Sequence, residues 1–257
     1  MFSSFSNSAT LSQYHKTVVA VFTPLTLSGC ILWLDQDSYF TDTGCSVACS
    51  TTNQTIKGWK DKSSSANNHT NSSGGATYQP TSINTTLNSA LFNQTYGLFA
   101  IHPTLLPSGS SQTASVFYVL KASTSGFSGF GGWGYSGGGG RQMYLTNTNV
   151  YLDKNGGSMI NAATNIEGAV NQVCFVTGSA QHGFINNTAF STDGSTTQFT
   201  AGSNDYGCVG TIYNSASSSG SWSFLGNICE VIVYNTQLNS TDRTTVYNYL
   251  KTKYGTA

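Results

Sequence analysis

Ser223-Phe-Leu-Gly-Asn-Ile-Cys-Glu-Val-Ile-Val-Tyr-Asn235 decides the fold. Within it, Glu230-Val-Ile-Val-Tyr234 is, after its first residue, an unbroken apolar run bounded by a turn. Such a run fits a strand covered on both faces. The chain then passes through Thr236-Gln-Leu238 into a helix. Asn239 suits the N-cap, and Asp242 at the third helical position approximates a capping box. Val246, Tyr249, Leu250 and Lys253 recur at helical spacing. Lys251 and Lys253 suit the negative end of the helix dipole, and Gly255 follows the last turn. This helix is expected to act as a lid on one edge of a β-sandwich.

Outward from that segment, further strand candidates are short and separated by Ser/Thr/Asn/Gly turns. They are Ile31–Leu34, Tyr96–His102, Ser115–Lys121, Gln142–Leu145, Val150–Leu152, Gln172–Val176, Gly183–Ile185, Cys208–Tyr213 and Asn227–Tyr234. Ser115-Val-Phe-Tyr-Val-Leu120 is a second continuous apolar run. Many short strands with turn signals between them predict a sandwich or barrel. Trp33, Trp59, Phe99, Val231 and Val233 are the expected core.

Three more segments carry a family likeness. Ile31-Leu-Trp-Leu-Asp-Gln-Asp37 reads as an L-W-L-D opening strand. Trp59-Lys-Asp-Lys-Ser63, followed by Asn67-Asn-His69, reads as W-x-D-K-S and N-H. His182-Gly-Phe-Ile-Asn-Asn-Thr188 sits where a strand and turn belong. With the C-terminal segment, these resemble the laminin-G-like, concanavalin-A-like jelly-roll domains, over residues 31 to 255. The resemblance implies an all-β jelly-roll sandwich with one C-terminal helix. It implies sugar-binding, adhesive or structural roles more than catalysis, and it does not fix function, because one fold carries many activities.

Composition bounds the partners. The chain has 257 residues and a net charge of zero, and only 8% of its residues are charged, against about a quarter in an ordinary domain. Ser, Thr, Asn and 28 Gly supply the polarity. Aromatic residues, 12% of the chain, provide bulk for a core. Length and class predict one sandwich domain, residues 28–257, preceded by an arm, residues 1–27. No basic stripe exists to release counterions, so a nucleic-acid partner is not expected. No apolar run approaches the roughly 20 residues a bilayer needs, so no membrane insertion is expected.

Leu27-Ser-Gly-Cys30 matches a lipobox, but Pro24 interrupts the apolar run and Cys30 leads straight into the opening strand. The arm is polar at its start. Its Val18-Val-Ala-Val-Phe22 stretch can extend a sheet, which makes Val18, Val19, Val21 and Phe22 candidate assembly residues. The six cysteines are Cys30, Cys45, Cys49, Cys174, Cys208 and Cys229. They allow 15 pairings. Cys45 and Cys49 are spaced to close a small ring, while Cys174 and Cys229 suit buried thiols in strands.

Candidate chemistry is sparse. Asp35 and Asp37 form the one D-x-D, and Glu230 stands apart as a strand carboxylate. A retaining glycosidase needs two carboxyls about 5 Å apart, and no alternating carboxylate run supplies them. Asp35, Asp37, Asp42 and Asp61 are weak calcium candidates. Turn capping by Asp35 and Asp37 is the favoured alternative. No C-x-x-C pair or His cluster suggests zinc, and no cofactor is expected. The segment Ser125–Arg141 holds four aromatics among glycines. It is read as a loop presenting Trp133, Tyr135 and Arg141 to sugar rings, or as two bulged strands whose aromatics fill the core. Seven sequons begin at Asn53, Asn68, Asn71, Asn84, Asn93, Asn186 and Asn239.

Low charge, an arm and the lack of a cleavable signal together predict a non-enzymatic structural or adhesive protein. Its expected place is a virion capsid or surface, with other subunits as partners. The alternative is a lectin-like, glycan-binding module of a bacterial surface protein, extracellular and with cell-surface glycans as ligands. Glycoside hydrolysis is a distant third.

Overall fold

The computed structural model describes residues 21–71, 74–94, 97–101, 113–123, 126–133, 141–146, 149–154, 160–162, 164–178, 180–193, 206–212 and 223–257. Its first strands are β1 (Cys30–Phe40), β2 (Thr55–Ile56), β3 (Gly58–Asp61), β4 (His69–Thr70), β5 (Ala76–Ile83), β6 (Leu87–Asn93), β7 (Leu98–Ile101) and β8 (Ala114–Ala122). Then come β9 (Ser128–Trp133), β10 (Arg141–Thr146), β11 (Asn149–Lys154), β12 (Ile160–Ala162), β13 (Asn171–Thr177), β14 (Gln181–Ile185), β15 (Thr188–Asp193), β16 (Tyr206–Val209) and β17 (Leu225–Tyr234). Helix α1 (Ser240–Tyr254) closes the chain.

Strand pairing is antiparallel and forms two layers. One layer runs β15-β14-β13-β8-β17-β1, with β6 and β5 continuing beside the first half of β17. The other runs β3-β4-β7-β16-β9-β10-β11-β12. β1 joins them: Leu34 pairs with both Val231 and Asp61, and Tyr39 pairs with Trp59. This is the concanavalin-A-like jelly-roll β-sandwich with one C-terminal helix.

Period-two alternation sorts the side chains. Val116, Tyr118, Leu120, Val173, Phe175, Val231 and Val233 face the second layer and meet Trp59, Phe130, Met143 and Leu152. Phe117, Val119, Cys174, Val176, Cys229, Ile232 and Tyr234 point the other way, onto Val246, Leu250 and Tyr254 of α1. The helix therefore covers the face of the first sheet, not an edge of the sandwich as expected. This explains the long apolar runs of β8 and β17: their outer face is buried under a helix, and their inner face under a sheet. Trp33 belongs to the helix-side cluster, and Trp59, Val231 and Val233 to the core between sheets. Phe99 lies on β7, paired with Thr70 and Cys208.

Of the expected arm, Val18 and Val19 lie outside the described residues. Val21 is exposed. Phe22 and Leu27 pack against the helix-side cluster, and the buried Tyr234 hydroxyl donates to the Pro24 carbonyl at 3.0 Å. The lipobox match has a packing account. Gly29 adopts φ +83°, and a side chain there would meet the Asn235 amide oxygen at 2.6 Å. Cys30 opens β1 opposite Tyr234, and burial pushes its thiol up to about 12. All six cysteines are free.

Candidate functional site

The motif residues of the opening strand, of W-x-D-K-S and of the C-terminal segment meet under α1. Lys253 Nζ lies 2.5 Å from Asp35 Oδ1 and 2.8 Å from Glu230 Oε2. Lys62 Nζ holds the other Asp35 oxygen at 2.7 Å. Glu230 also accepts from Trp33 Nε1 at 2.8 Å, Tyr249 Oη at 3.0 Å and Tyr254 Oη at 2.7 Å. Both carboxylates are buried. Burial pushes Asp35 up, but Lys253 and Lys62 outweigh it and hold the carboxyl below its ordinary 3.8. Burial dominates at Glu230 and raises it above 4.5, with Lys253 opposing. At Lys253, burial is overcome by the two carboxylates, so its ammonium is held more firmly than usual.

Asp61 organises the neighbouring loop. Its carboxylate accepts from the backbone N–H groups of Trp33, Ser63 and Asn67, each at 2.8 Å, and from the Ser63 hydroxyl at 2.7 Å. Trp59 Nε1 donates to the Asp35 carbonyl at 2.9 Å. W-x-D-K-S and L-W-L-D are thus two halves of one hydrogen-bonded joint.

Several expectations are corrected here. Glu230 does have a carboxylate neighbour, since it shares the Lys253 ammonium with Asp35. Asp35 binds two lysines through its side chain rather than capping a turn. Lys253 stands in the last turn of α1, as expected, and its ammonium also reaches the two carboxylates of the sheet. The aspartates do not gather: Asp42 binds Ser46 and Val47, Asp37 binds Gln36, and Asp35 and Asp61 are engaged as above. Among the described residues, no cluster of three or more His, Cys, Asp or Glu side chains is placed to hold a metal.

The opposite side of the sandwich offers a different surface. Met143 and Leu145 of β10 and Val150 and Leu152 of β11 point into the core. The residues between them therefore lie on the outer face, where Tyr144 is buried between its ring neighbours and Tyr151 is half-buried. Tyr144 and Tyr151 are direct cross-strand partners, and their rings stack at 5.0 Å with planes only 8° apart. Phe127 stacks on the other side of Tyr144 at 4.9 Å and 26°. Asn149 Nδ2 donates to the Tyr151 hydroxyl at 2.9 Å. Across from Tyr151 on β12 stands the exposed Asn161. The result is a row of aromatic rings ending beside two amides.

Within Ser125–Arg141, β9 pairs with β10, with a register shift at Met143/Tyr144, and Trp133 and Arg141 are cross-strand partners. Tyr135 lies outside the described residues. Sequence reasoning missed Phe127, Tyr144 and Tyr151 as a group. The signal was present in the alternation of Met143-Tyr-Leu145 with Val150-Tyr-Leu152.

At the other end of the molecule, Phe22 packs edge-on to Tyr249, with ring centroids 5.7 Å apart. Val21, Phe22, Tyr249 and Lys253 line a groove of 550 Å³ along α1.

No protein-family model matches the chain, and no curated protein matches it in sequence. Solved structures do. Domain 4 of AbnA, a GH43 extracellular arabinanase from Geobacillus stearothermophilus, in complex with arabinotriose, is 14% identical, with a TM-score of 0.52. That match covers 85% of this chain and 98% of the domain. Trypanosoma rangeli sialidase is 11% identical, with a TM-score of 0.59 over 88% of this chain. The match covers 33% of the sialidase chain. These likenesses are of fold.

Proposed function

We propose that this protein is a non-enzymatic, lectin-like carbohydrate-binding module of an extracellular or cell-surface protein. The observation that carries this reading is the stacked row Phe127–Tyr144–Tyr151 on the sheet face away from the helix. Aromatic rings offer flat faces on which the apolar faces of sugars stack, and a few placed polar groups fix orientation. A sugar ring stacks on Tyr151 at the end of the row, with Asn149 and Asn161 offering amides to its hydroxyls. The likeness to an arabinanase domain in complex with arabinotriose supports a carbohydrate ligand. The seclusion of Asp35 and Glu230 beneath α1 supports binding without hydrolysis. The virion role expected from composition draws no support from these neighbours, and the lectin-like alternative does.

The test is a glycan array with the isolated protein, followed by calorimetry on its best ligand. Tyr151→Ala is expected to weaken binding at least tenfold, about 1.4 kcal/mol, with thermal unfolding unchanged within a few degrees. Absence of any glycan ligand, or binding untouched by Tyr151→Ala, overturns the reading.

A further inference from the structure

The charges under α1 remain unused by a glycan platform on the far side of the sandwich. We propose that Lys253 and Asp35 condense within the folded domain into an isopeptide bond, with Glu230 as the proton shuttle. Three observations point there. The amine nitrogen is 2.5 Å from one oxygen of the Asp35 carboxyl and therefore beside its carbon. A second carboxylate, almost wholly buried, touches the same nitrogen at 2.8 Å. Trp33, Tyr249 and Tyr254 enclose the group, and the Lys253 ammonium lies 5.4 and 5.3 Å from the two tyrosine ring centroids.

The chemistry balances without a co-reactant. The resting ammonium is protonated and the Asp35 carboxylate is not electrophilic, so the step begins with one ammonium proton passing through Glu230 to Asp35 Oδ1, which leaves a neutral amine beside a neutral carboxyl. The nitrogen lone pair then attacks the Asp35 carbon, and the carbonyl electrons move onto oxygen. Lys62, 2.7 Å from the second Asp35 oxygen, stabilises that developing charge. A second proton then leaves the tetrahedral nitrogen and reaches the Oδ1 hydroxyl through Glu230. The C–O bond breaks, water departs, and Glu230 returns to its starting form. The products are one amide and one water.

Holding amine and carboxyl in contact favours the step, because it replaces an encounter in solution by a unimolecular reaction. The bond ties β1 to α1, residue 35 to residue 253, in a chain whose cysteines form no disulfide.

The experiment is intact-mass measurement of the purified, folded protein. The expected mass is one water below that of the sequence. Digestion is expected to yield a branched peptide joining Asp35 to Lys253. Lys253→Arg and Glu230→Gln, each checked for folding by circular dichroism, are expected at full mass. A folded wild-type protein at full mass overturns the proposal, whatever the variants do. So does a loss of water without the branched peptide, or a branch from Lys253 to Glu230. A bond that still forms in Glu230→Gln overturns the shuttle.

Discussion

A single carboxylate replaces several missing contacts in this chain. Asp61 gathers three backbone amides and a hydroxyl, and Asp42 does the same on a smaller scale in an exposed turn. Asp42 Oδ1 accepts from the Val47 and Ser46 amides at 2.7 and 3.0 Å, and Oδ2 accepts from the Ser46 hydroxyl at 2.9 Å. Charge-assisted hydrogen bonds are stronger than neutral ones, and they organise loops rich in Ser, Thr and Gly that have little else to pack. The Val47 amide foremost, with Ser46, holds the Asp42 carboxyl below its ordinary 3.8. A lowered folded-state value means that the stabilisation is fully present above the unfolded value. It is lost as the pH falls through the lowered one. The amide resonances of Ser46 and Val47 in an NMR titration are expected to shift with a midpoint below 3.8. A midpoint at or above that value removes Asp42 as the organiser of the turn.

Helix α1 shows what a local element reveals and what it hides. Asn239 accepts the Asp242 amide at 2.9 Å. Gly255, at φ +64°, ends the helix and donates its own N–H to the Lys251 carbonyl. Asn239→Ala is expected to cost about 1 kcal/mol, read as a lower urea midpoint with unchanged slope. An unchanged midpoint shows that packing alone sets the helix start. Caps and spacing were legible because they involve residues only a few positions apart. The docking face was not, because it is assembled from Phe117, Cys174, Phe184 and Ile232, which are far apart in sequence. The apolar runs of β8 and β17 showed that both faces are covered, but not by what. β5 and β6 were missed for a different reason. Ala76–Ile83 is half Thr, Gln and Ser, Leu87–Asn93 sets Asn and Ser among its apolar residues, and β5 contains Pro80 where its register breaks between Gln79 and Ile83. Their identity as strands comes from pairing, not composition. The candidate site was half legible. Glycine abundance drew attention to Trp133 and Arg141, whereas the stacked rings start at Phe127, just before β9, and continue across β10 and β11.

At the scale of the molecule, three layers are stacked: helix, sheet, sheet. The middle sheet carries apolar side chains on both faces, with Asp35 and Glu230 set among them on the helix side, so anything that uncovers that side exposes Phe117, Cys174, Ile232 and Tyr234 to water. Residues just before β1 help α1 to cover that face. Phe22 packs on Tyr249, Pro24 is buried and receives the Tyr234 hydroxyl, and Leu27 joins the cluster. Two truncations separate this contribution from that of the preceding chain. Removal of residues 1–20 keeps every one of these contacts, so the melting temperature is expected to stay within about 2 °C of the full chain, less than 1 kcal/mol for a domain of this size. Removal of residues 1–27 takes away two half-buried apolar side chains and strands a buried hydroxyl, a loss of about 2 kcal/mol. At roughly 2–4 °C per kcal/mol in a domain of this size, that lowers the melting temperature by about 4–8 °C. Melting temperatures for both truncations equal to that of the full chain remove Phe22–Leu27 from the cover of the sheet. An equally large fall for both shows instead that residues before Val21 are part of the folded body.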